Sequence, residues 1–337
     1  MRDHSPARPP LSADLLRLDC AVEVLRLERF IKDAVATRLR RRGVVLGVSG
    51  GIDSSVTAAL CARALGPARV LGLLMPERES ADDTLALSRL LTDALRIQAI
   101  VEDVTPLLEG AGAYRRRDEA IATVIPGYGS GWKAKLVLPS GSADYRMFSL
   151  VVQAPDGTRL ERRLPAAAYL AIVAATSFKQ RARKMLEYFH ADRLNYAVAG
   201  TPNRLEYDQG FFVKQGDGAA DLKPIAHLYK SQVYQLAEYL GVPAEIRSRP
   251  PTTDTYSLPQ GQDEFYFSLP YTAMDLCLFA KNHGYAPAEV TAATGLTAAQ
   301  VEVAYRDIDQ KRRATRYQHL PALLVEPVAE VAPAEGG

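Results

Sequence analysis

The sequence predicts an α/β fold, a doubly wound parallel sheet, on three observations. Val44–Val48, "VVLGV", is a short apolar run rich in β-branched residues, the pattern of a strand buried on both faces. A helical run, "SVTAALCARAL", follows and is closed by Gly66 and Pro67. The pair then recurs: "RVLGLLMP" reads as a second buried strand, "SADDTLALSRLLTDAL" as a helix and "IQAIVEDV" as a third strand. Strands joined through helices by connections this short run parallel.

The other elements follow in order. Residues 1–11 are proline-rich and expected to be flexible. From Ser12 to Arg42 apolar residues recur at helical spacing (Leu15, Leu16, Val22, Leu25, Phe30, Ile31, Val35, Leu39), with Ser12 as N-cap and Gly43 as terminator. Ser80 is the expected cap of the helix after the second strand. After Pro126 the grammar changes. Residues 127–165 read as an antiparallel β-hairpin insertion, with strand-like runs Leu136–Leu138 and Met147–Gln153 and a Pro155-Asp156-Gly157 turn. Trp132 is expected to pack this insertion on its host. Helical pattern resumes at Ala166 and runs towards His190. "LNYAVAG" (194–200) is a fourth core strand, and 228–241 is a helix ended by Gly241 and Pro243. Residues 12–322 are expected to form a single domain, and 323–337 a disordered tail.

Composition narrows the classes. A chain of 337 residues, 47% of them hydrophobic, can bury a substantial core. Lys and Arg number 41 against 39 Asp and Glu, so the basic footprint of a nucleic-acid binder is missing. Cys20, Cys61 and Cys277 lie far apart and form no CxxC pair, which points away from zinc and disulfides and towards a reducing compartment. The first residues carry no apolar signal core, and no apolar run approaches the ~20 residues needed to span a bilayer. A cytoplasmic protein with no membrane partner is expected.

The chemistry is concentrated in "VVLGVSGGIDSSVTAA". A strand running through a glycine-bent loop into a helix N-terminus is a ready anion site. Gly50 and Gly51 let the backbone approach a phosphate, and Ser49, Ser54 and Ser55 add hydroxyls. The loop matches neither GxxxxGK[ST] nor GxGxxG. Asp53 would repel a phosphate unless a cation sat between them, and Mg²⁺ held by carboxylates and phosphate oxygens answers that. An ordinary flexible loop is the duller alternative, and the aspartate makes it the minority one.

"SGGIDSS" resembles the SGGxDS loop of the N-type ATP pyrophosphatases, an adenine nucleotide alpha hydrolase-like, Rossmann-like superfamily. That motif alone does not separate asparagine synthetases, GMP synthetases, tRNA-modifying enzymes and NAD synthetases. The second half does. "SFKQRARKM", "LNYAVAGTPNRLE", "GFFVKQGDGAADLKPIAHLYKSQV" and "LGVPAEIRSRPPTTD" occur in this order and resemble the NAD synthetase family of ammonia-dependent type.

The resemblance implies adenylation of a carboxylate by ATP and capture of the adenylate by ammonia, with deamido-NAD as the acid. It implies Asp53 and Glu206 as Mg²⁺ ligands. The implied ATP site comprises Ser49, Gly50, Gly51, Asp53, Ser54, Ser55, Thr201, Lys230 and Thr252. Arg181, Lys214, Asp221 and Lys311 are the implied acid-binding residues, and Asp53, Lys230 and Asp221 the catalytic ones. No glutaminase region is recognisable, so free ammonia or a separate glutaminase partner supplies nitrogen. A homodimer is implied. His227 and His283 are not expected to act as bases. Three departures fall on the acid side: the insertion, expected to shape acid selection without touching ATP; an aromatic stretch among Asp263, Glu264 and Asp275; and Gln310-Lys311 in place of a His-Lys pair. An amide ligase for another acid, or a non-catalytic nucleotide-binding relative, are the alternatives.

Overall fold

The expected helix from Ser12 is interrupted. Ala13–Leu16 forms one 3-10 turn, Arg17 is extended, and helix α1 (Cys20–Asp33) starts afresh, with the Asp19 carboxylate accepting the Val22 N–H at 3.0 Å. Ser12 makes no capping bond. The charged carboxylate next to the positive helix end suits it better than a serine hydroxyl seven residues further out. Ala34–Arg38 adds a π-helical turn. The chain is described by a computed structural model over residues 8–81, 83–137, 148–252, 255–261, 266–267 and 269–331. Residues 8–11 dock, against expectation: Leu11 is buried among the C-terminal helices, and Arg8 pairs with Glu289 at 2.9 Å and covers the Tyr285 ring.

Two strand–helix–strand crossovers follow: β1 (Val44–Gly47), α2 (Ile52–Leu65), β2 (Val70–Leu74), α3 (Thr84–Leu95) and β3 (Gln98–Val101). Pairing is parallel, with Val45 beside Leu71 and Leu73 beside Ile100. Alternation sends Val44, Leu46, Val70 and Leu74 to a core shared with α1 and α2, and Val45, Leu71 and Leu73 to the opposite core. Helix α3 starts at Thr84. The Ser80 hydroxyl does not cap it, and instead accepts the Glu77 N–H at 3.0 Å, closing the turn after β2. Two helices absent from the sequence reading come next, α4 (Thr105–Gly110) and α5 (Ala113–Ala122). The charged run "RRRDE" within α5 hides its apolar period.

The insertion is a three-stranded antiparallel sheet of its own, β4 (Lys133–Val137), β5 (Ser149–Gln153) and β6 (Arg159–Arg163), in that order. The turn at Pro155-Asp156-Gly157 joins β5 to β6, with the Asp156 carboxylate accepting the Thr158 N–H. Leu138 and Met147 lie outside the described residues. Leu136, Leu150 and Val152 pack on Ile121 of α5 and on Ile172 of the next helix, α6 (Ala166–Leu194). Trp132 packs at the edge of this core, 5.7 Å from Tyr128.

Helix α6 covers the second face of the sheet and delivers β7 (Ala197–Val198), which pairs parallel with β1. The sheet order is therefore β3-β2-β1-β7. The chain winds outwards from β1 in one direction, then returns to its other side, so a crevice opens at the carboxyl ends of β1 and β7. The remaining helices are α7 (Arg204–Gln209), α8 (Lys230–Tyr239), α9 (Ala244–Ser248), α10 (Tyr271–Asn282), α11 (Pro287–Thr294) and α12 (Ala298–Thr315). The last three build a core that also takes Leu205 and Tyr229. Residues 323–328 are exposed, and Ala329–Val331 forms one 3-10 turn, so the described part of the tail is not wholly irregular. No described helix is long and apolar enough to cross a membrane. All three cysteines are free, and burial pushes the Cys61 thiol up to about 12.

Leu150 is fully buried between β4 and β6. Leu150→Ala is expected to cost about 2–5 kcal/mol, the range for deleting a core leucine, read from the shift in urea midpoint at unchanged slope. A loss below a few tenths of that range would mean that the insertion's core does not support the fold.

Candidate active site

The crevice is floored by the loop between β1 and α2. Gly50 sits there at φ +69°, and a Cβ would meet Leu87 Cβ at 2.9 Å and Thr84 O at 3.0 Å. Only glycine turns this corner without moving α3. The Ser54 hydroxyl donates to Gly51 O at 3.0 Å and lies 3.2 Å from Ser49 Oγ, which stiffens the bend. Ser55 is fully buried and donates to Gly51 O at 2.8 Å; its hydroxyl shapes the loop and does not face the crevice. The N-terminus of α2, with its positive dipole end and free N–H groups, points out of this loop.

Asp53 lies in the first turn of α2, and its Oδ2 accepts from the ammonium of Lys230. Lys230 opens α8 and is only 2% exposed. A lysine at a helix N-terminus opposes the dipole. Two carboxylates offset this: Asp53 at the side chain, and Asp275 of α10, which accepts the Lys230 N–H at 3.2 Å and the Ser231 N–H at 2.7 Å. Burial pulls the Lys230 ammonium down, but Asp53 and then Glu206 more than offset it, and the net shift is upwards. Burial pushes Asp275 up to about 6 against the pull of its N–H donors.

Asn203 joins the second carboxylate to the first. Its Oδ1 accepts the Leu205 and Glu206 N–H groups and so caps α7, while its own N–H donates to Glu206 Oε2 at 3.1 Å. Its Nδ2 donates to Asp53 Oδ1 at 3.0 Å. The Glu206 carboxyl is held above the usual range by burial and by the charge of Asp53, with Lys230 opposing. Asp53 and Glu206, joined through Asn203, share the Lys230 ammonium as their described cation. Among the described residues no third His, Cys, Asp or Glu joins them. Two carboxylates suit Mg²⁺, which keeps waters and phosphate oxygens as its other ligands.

Ser49, Gly51, Asp53, Ser54, Thr201, Glu206, Lys230 and Thr252 line a single cavity of about 430 Å³. One wall is a stripe of α6: Tyr169, Val173, Thr176, Gln180, Arg183 and Glu187, spaced alternately four and three residues apart. In the same wall Lys179, 3% exposed, donates to Glu77 Oε1 (2.7 Å), Glu79 Oε2 (2.8 Å) and Thr255 O (3.0 Å). Arg117 closes the network onto Glu79, whose carboxyl is held down to about 2: burial raises it, and Arg117 and Lys179 outweigh that. The insertion also reaches the cavity. Phe148 lines the cavity, stacked 4.7 Å from Tyr169, and the backbone of Ala134 accepts the Leu258 N–H in the segment that follows Thr252.

The acid-side residues stand apart. Arg181 is exposed on α6, and its Nε donates to Lys214 O at 3.3 Å. The Lys214 ammonium donates to Tyr317 O at 2.9 Å. Asp221 accepts the Val198 N–H at 2.7 Å and the Tyr188 hydroxyl, sealing the edge of β7. The Lys311 ammonium is held by Asp307 at 2.7 Å and lies over the Tyr266 ring. None of these four lines the cavity. Asp263 and Glu264 lie outside the described residues. His227 pairs with Glu23 and His283 stacks on Phe279, both away from the crevice.

The sequence profile of the NAD synthase family matches residues 23–123 and 161–320. The chain belongs to the NAD synthase family. The profile steps over residues 124–160, which hold β4, β5 and the first two residues of β6. A curated relative, the NH(3)-dependent NAD(+) synthetase of Rhizobium rhizogenes, is 58% identical over 320 residues, 94% of this chain and 96% of its own. The protein of the same name from Mesorhizobium japonicum is 59% identical over 318 residues, 94% of this chain and 100% of its own. Among solved structures, an NMN synthetase from Francisella tularensis shares the fold, with a TM-score of 0.63 at 22% identity over 91% of this chain and 99% of that one. Within this NAD synthase-family site, sequence reading missed Asn203 and left Asp275 without a role. The signal for Asn203 was present as an N-cap followed three residues later by a glutamate, "NRLE".

Asn203→Ala removes both the α7 cap and the Asp53 contact. Affinity for Mg²⁺ in the presence of ATP is expected to fall at least tenfold, measured by calorimetry. An unchanged affinity would remove Asn203 from the site's support. Asp275 gives a pH signature. Its folded pKa lies above its unfolded value, so its contribution to stability is greatest at low pH and is lost as pH rises through about 6. Asp275→Asn is expected to flatten that limb of a melting-temperature profile between pH 4 and 8. A limb of equal steepness in the variant would assign the titration to another group.

Proposed function

We propose that this chain is an ammonia-dependent NAD synthetase that uses ATP and Mg²⁺ to convert deamido-NAD to NAD. The observation that carries the reading is the convergence of Asp53, Lys230 and Glu206 on the helix-terminated Ser49–Ser55 loop. A carboxylate is a poor acylating agent because oxide would have to leave. Attack of a carboxylate oxygen on the α-phosphorus of ATP breaks the bond to the β-phosphate bridging oxygen and yields an acyl-adenylate and pyrophosphate. Ammonia then attacks the acyl carbon, AMP leaves with the bonding pair, and one proton passes to solvent.

This chain's residues contribute position and charge. The N–H groups of the loop and the Ser49 and Ser54 hydroxyls receive the phosphates, with Thr201 and Thr252 along the same cavity. Lys230 faces the charge that develops on the leaving pyrophosphate. Asp53 and Glu206 would hold Mg²⁺, which supplies further neutralisation of phosphate charge when bound. No covalent nucleophile is required. The supply of ammonia is free in solution or from a separate glutaminase.

The acid is taken outside the ATP cavity, along the exposed face of α6. Arg181, Met185 and Phe189 follow one another there at four-residue spacing, and Met185 and Phe189 are 56% and 58% exposed. A cation followed by two exposed apolar side chains suits an acid site completed by a second copy of the chain. Arg181, Lys214 and Asp221 form its rim.

Pyrophosphate release should require ATP, Mg²⁺ and deamido-NAD together, and NAD should form with ammonium but not with glutamine. Asp53→Asn, which keeps size and removes charge, should lower turnover at least a hundredfold, the order expected for a main electrostatic contribution. Near wild-type turnover with unchanged Mg²⁺ dependence would remove Asp53 from the metal site. Turnover on a different acid in place of deamido-NAD would overturn the substrate assignment.

A further inference from the structure

A second cavity, of about 470 Å³, lies between the start of α1, the start of α7 and the end of α10, and shares no lining residue with the first. Its size falls within the range of small-molecule sites. Arg204 lines it. The Nε of this guanidinium is buried and has no hydrogen-bond partner, and among the described residues no carboxylate pairs with it. Its one described side-chain contact is the face of Tyr229, 5.4 Å away. A half-buried cation without an anion is costly, because the lost hydration is returned by nothing in the protein. Every other arginine that lines either cavity has an acceptor: Arg26 has Glu23, Arg183 has Met75 O, and Arg249 has Asp83.

Among the described residues, the surroundings of Arg204 leave its charge unopposed, because Arg26, His227 and Glu23 satisfy one another. Arg26, His227 and His283 line the same cavity. Glu23 also lines it, and would repel an anion, but its carboxylate already accepts from Arg26 at 2.6 Å and contacts His227 at 2.8 Å, and these partners hold it below the usual range against burial. The floor is aromatic, with Tyr229 and a Phe279–His283 stack whose centroids are 4.0 Å apart. We infer that this cavity is a binding site for the phosphate group of a small phosphorylated molecule, held by the Arg204 guanidinium. The planar fork matches two phosphate oxygens at once. The location gives the site a direct line to catalysis: Arg204 follows Asn203, which bonds Asp53, and Tyr229 precedes Lys230.

The test fills the main cleft first. Full-length protein is saturated with Mg²⁺ and a non-hydrolysable ATP analogue, and inorganic phosphate is titrated in by calorimetry. One further phosphate per chain should bind, at least tenfold more weakly in Arg204→Met. Should that variant not fold, Arg204→Lys keeps the charge and loses the fork, and should also weaken binding. Parallel titrations with AMP and pyrophosphate separate a nucleotide from a bare phosphate as the preferred source. Absence of saturable binding once the cleft is filled overturns the inference, as does equal binding in folded Arg204 variants. The readout is binding at a second site, so failure of the amidation reaction would leave it intact, and failure of binding would leave the amidation reading intact.

Discussion

The ion pair between Asp53 and Lys230 is the constraint around which the active site is arranged. Each partner stands at a helix N-terminus, α2 for the acid and α8 for the base. The acid is welcome there and the base is not. Burying the lysine at 2% exposure would therefore be prohibitive without anionic neighbours. Asp53, Glu206 and Asp275 supply them, and Asn203 fixes the relative positions of the first two. The arrangement follows from topology. Asp53 and Glu206 come after β1 and β7, and those strands are neighbours only because the chain reverses its winding at β1.

The opposite wall obeys similar electrostatics. Lys179, Glu77, Glu79 and Arg117 are nearly dehydrated, yet each charge has a partner of opposite sign within 2.8 Å. The cluster ties together the turn after β2, helix α5, helix α6 and the carbonyl of Thr255. Networks of this kind cost desolvation but specify geometry, since a small displacement leaves a buried charge unpaired. The cavity is thus pinned on one side by Lys230 and on the other by Lys179.

Much of this was legible in the sequence. Parallel strands betray themselves by apolar runs, so β1, β2 and β3 stand where they were read, and of the glycine-bent loop Ser49, Gly51, Asp53 and Ser54 line the cavity while Gly50 and Ser55 do not. The exceptions have physical causes. Asp19 captured the helix start assigned to Ser12 because a charge outweighs a hydroxyl at a dipole end. Ser80 was drawn into the turn after β2 by Glu77. Helix α5 was obscured by arginines, one of which, Arg117, proved to be buried in an ion pair. The third strand of the insertion, "RLERR", shows no alternation because it is an edge with little to cover. Long-range pairings such as Asn203 with Asp53, 150 residues apart, leave no periodic trace at all.

Helix α6 runs unbroken for 29 residues, about 43 Å at 1.5 Å per residue. Its first turns carry Tyr169 against the insertion, its middle carries Lys179 and Arg181, and its last third carries Glu187 beside Gly47. These groups sit on one rigid beam and cannot be adjusted independently. A change in the insertion that tips the beam at Tyr169 also swings the rim at Arg181 and the floor near β1. Length changes in the insertion are therefore tolerable only where they leave the seat of Tyr169 in place, as at the Pro155-Asp156-Gly157 turn of β5–β6, and the helix transmits any other alteration to both ends of the site.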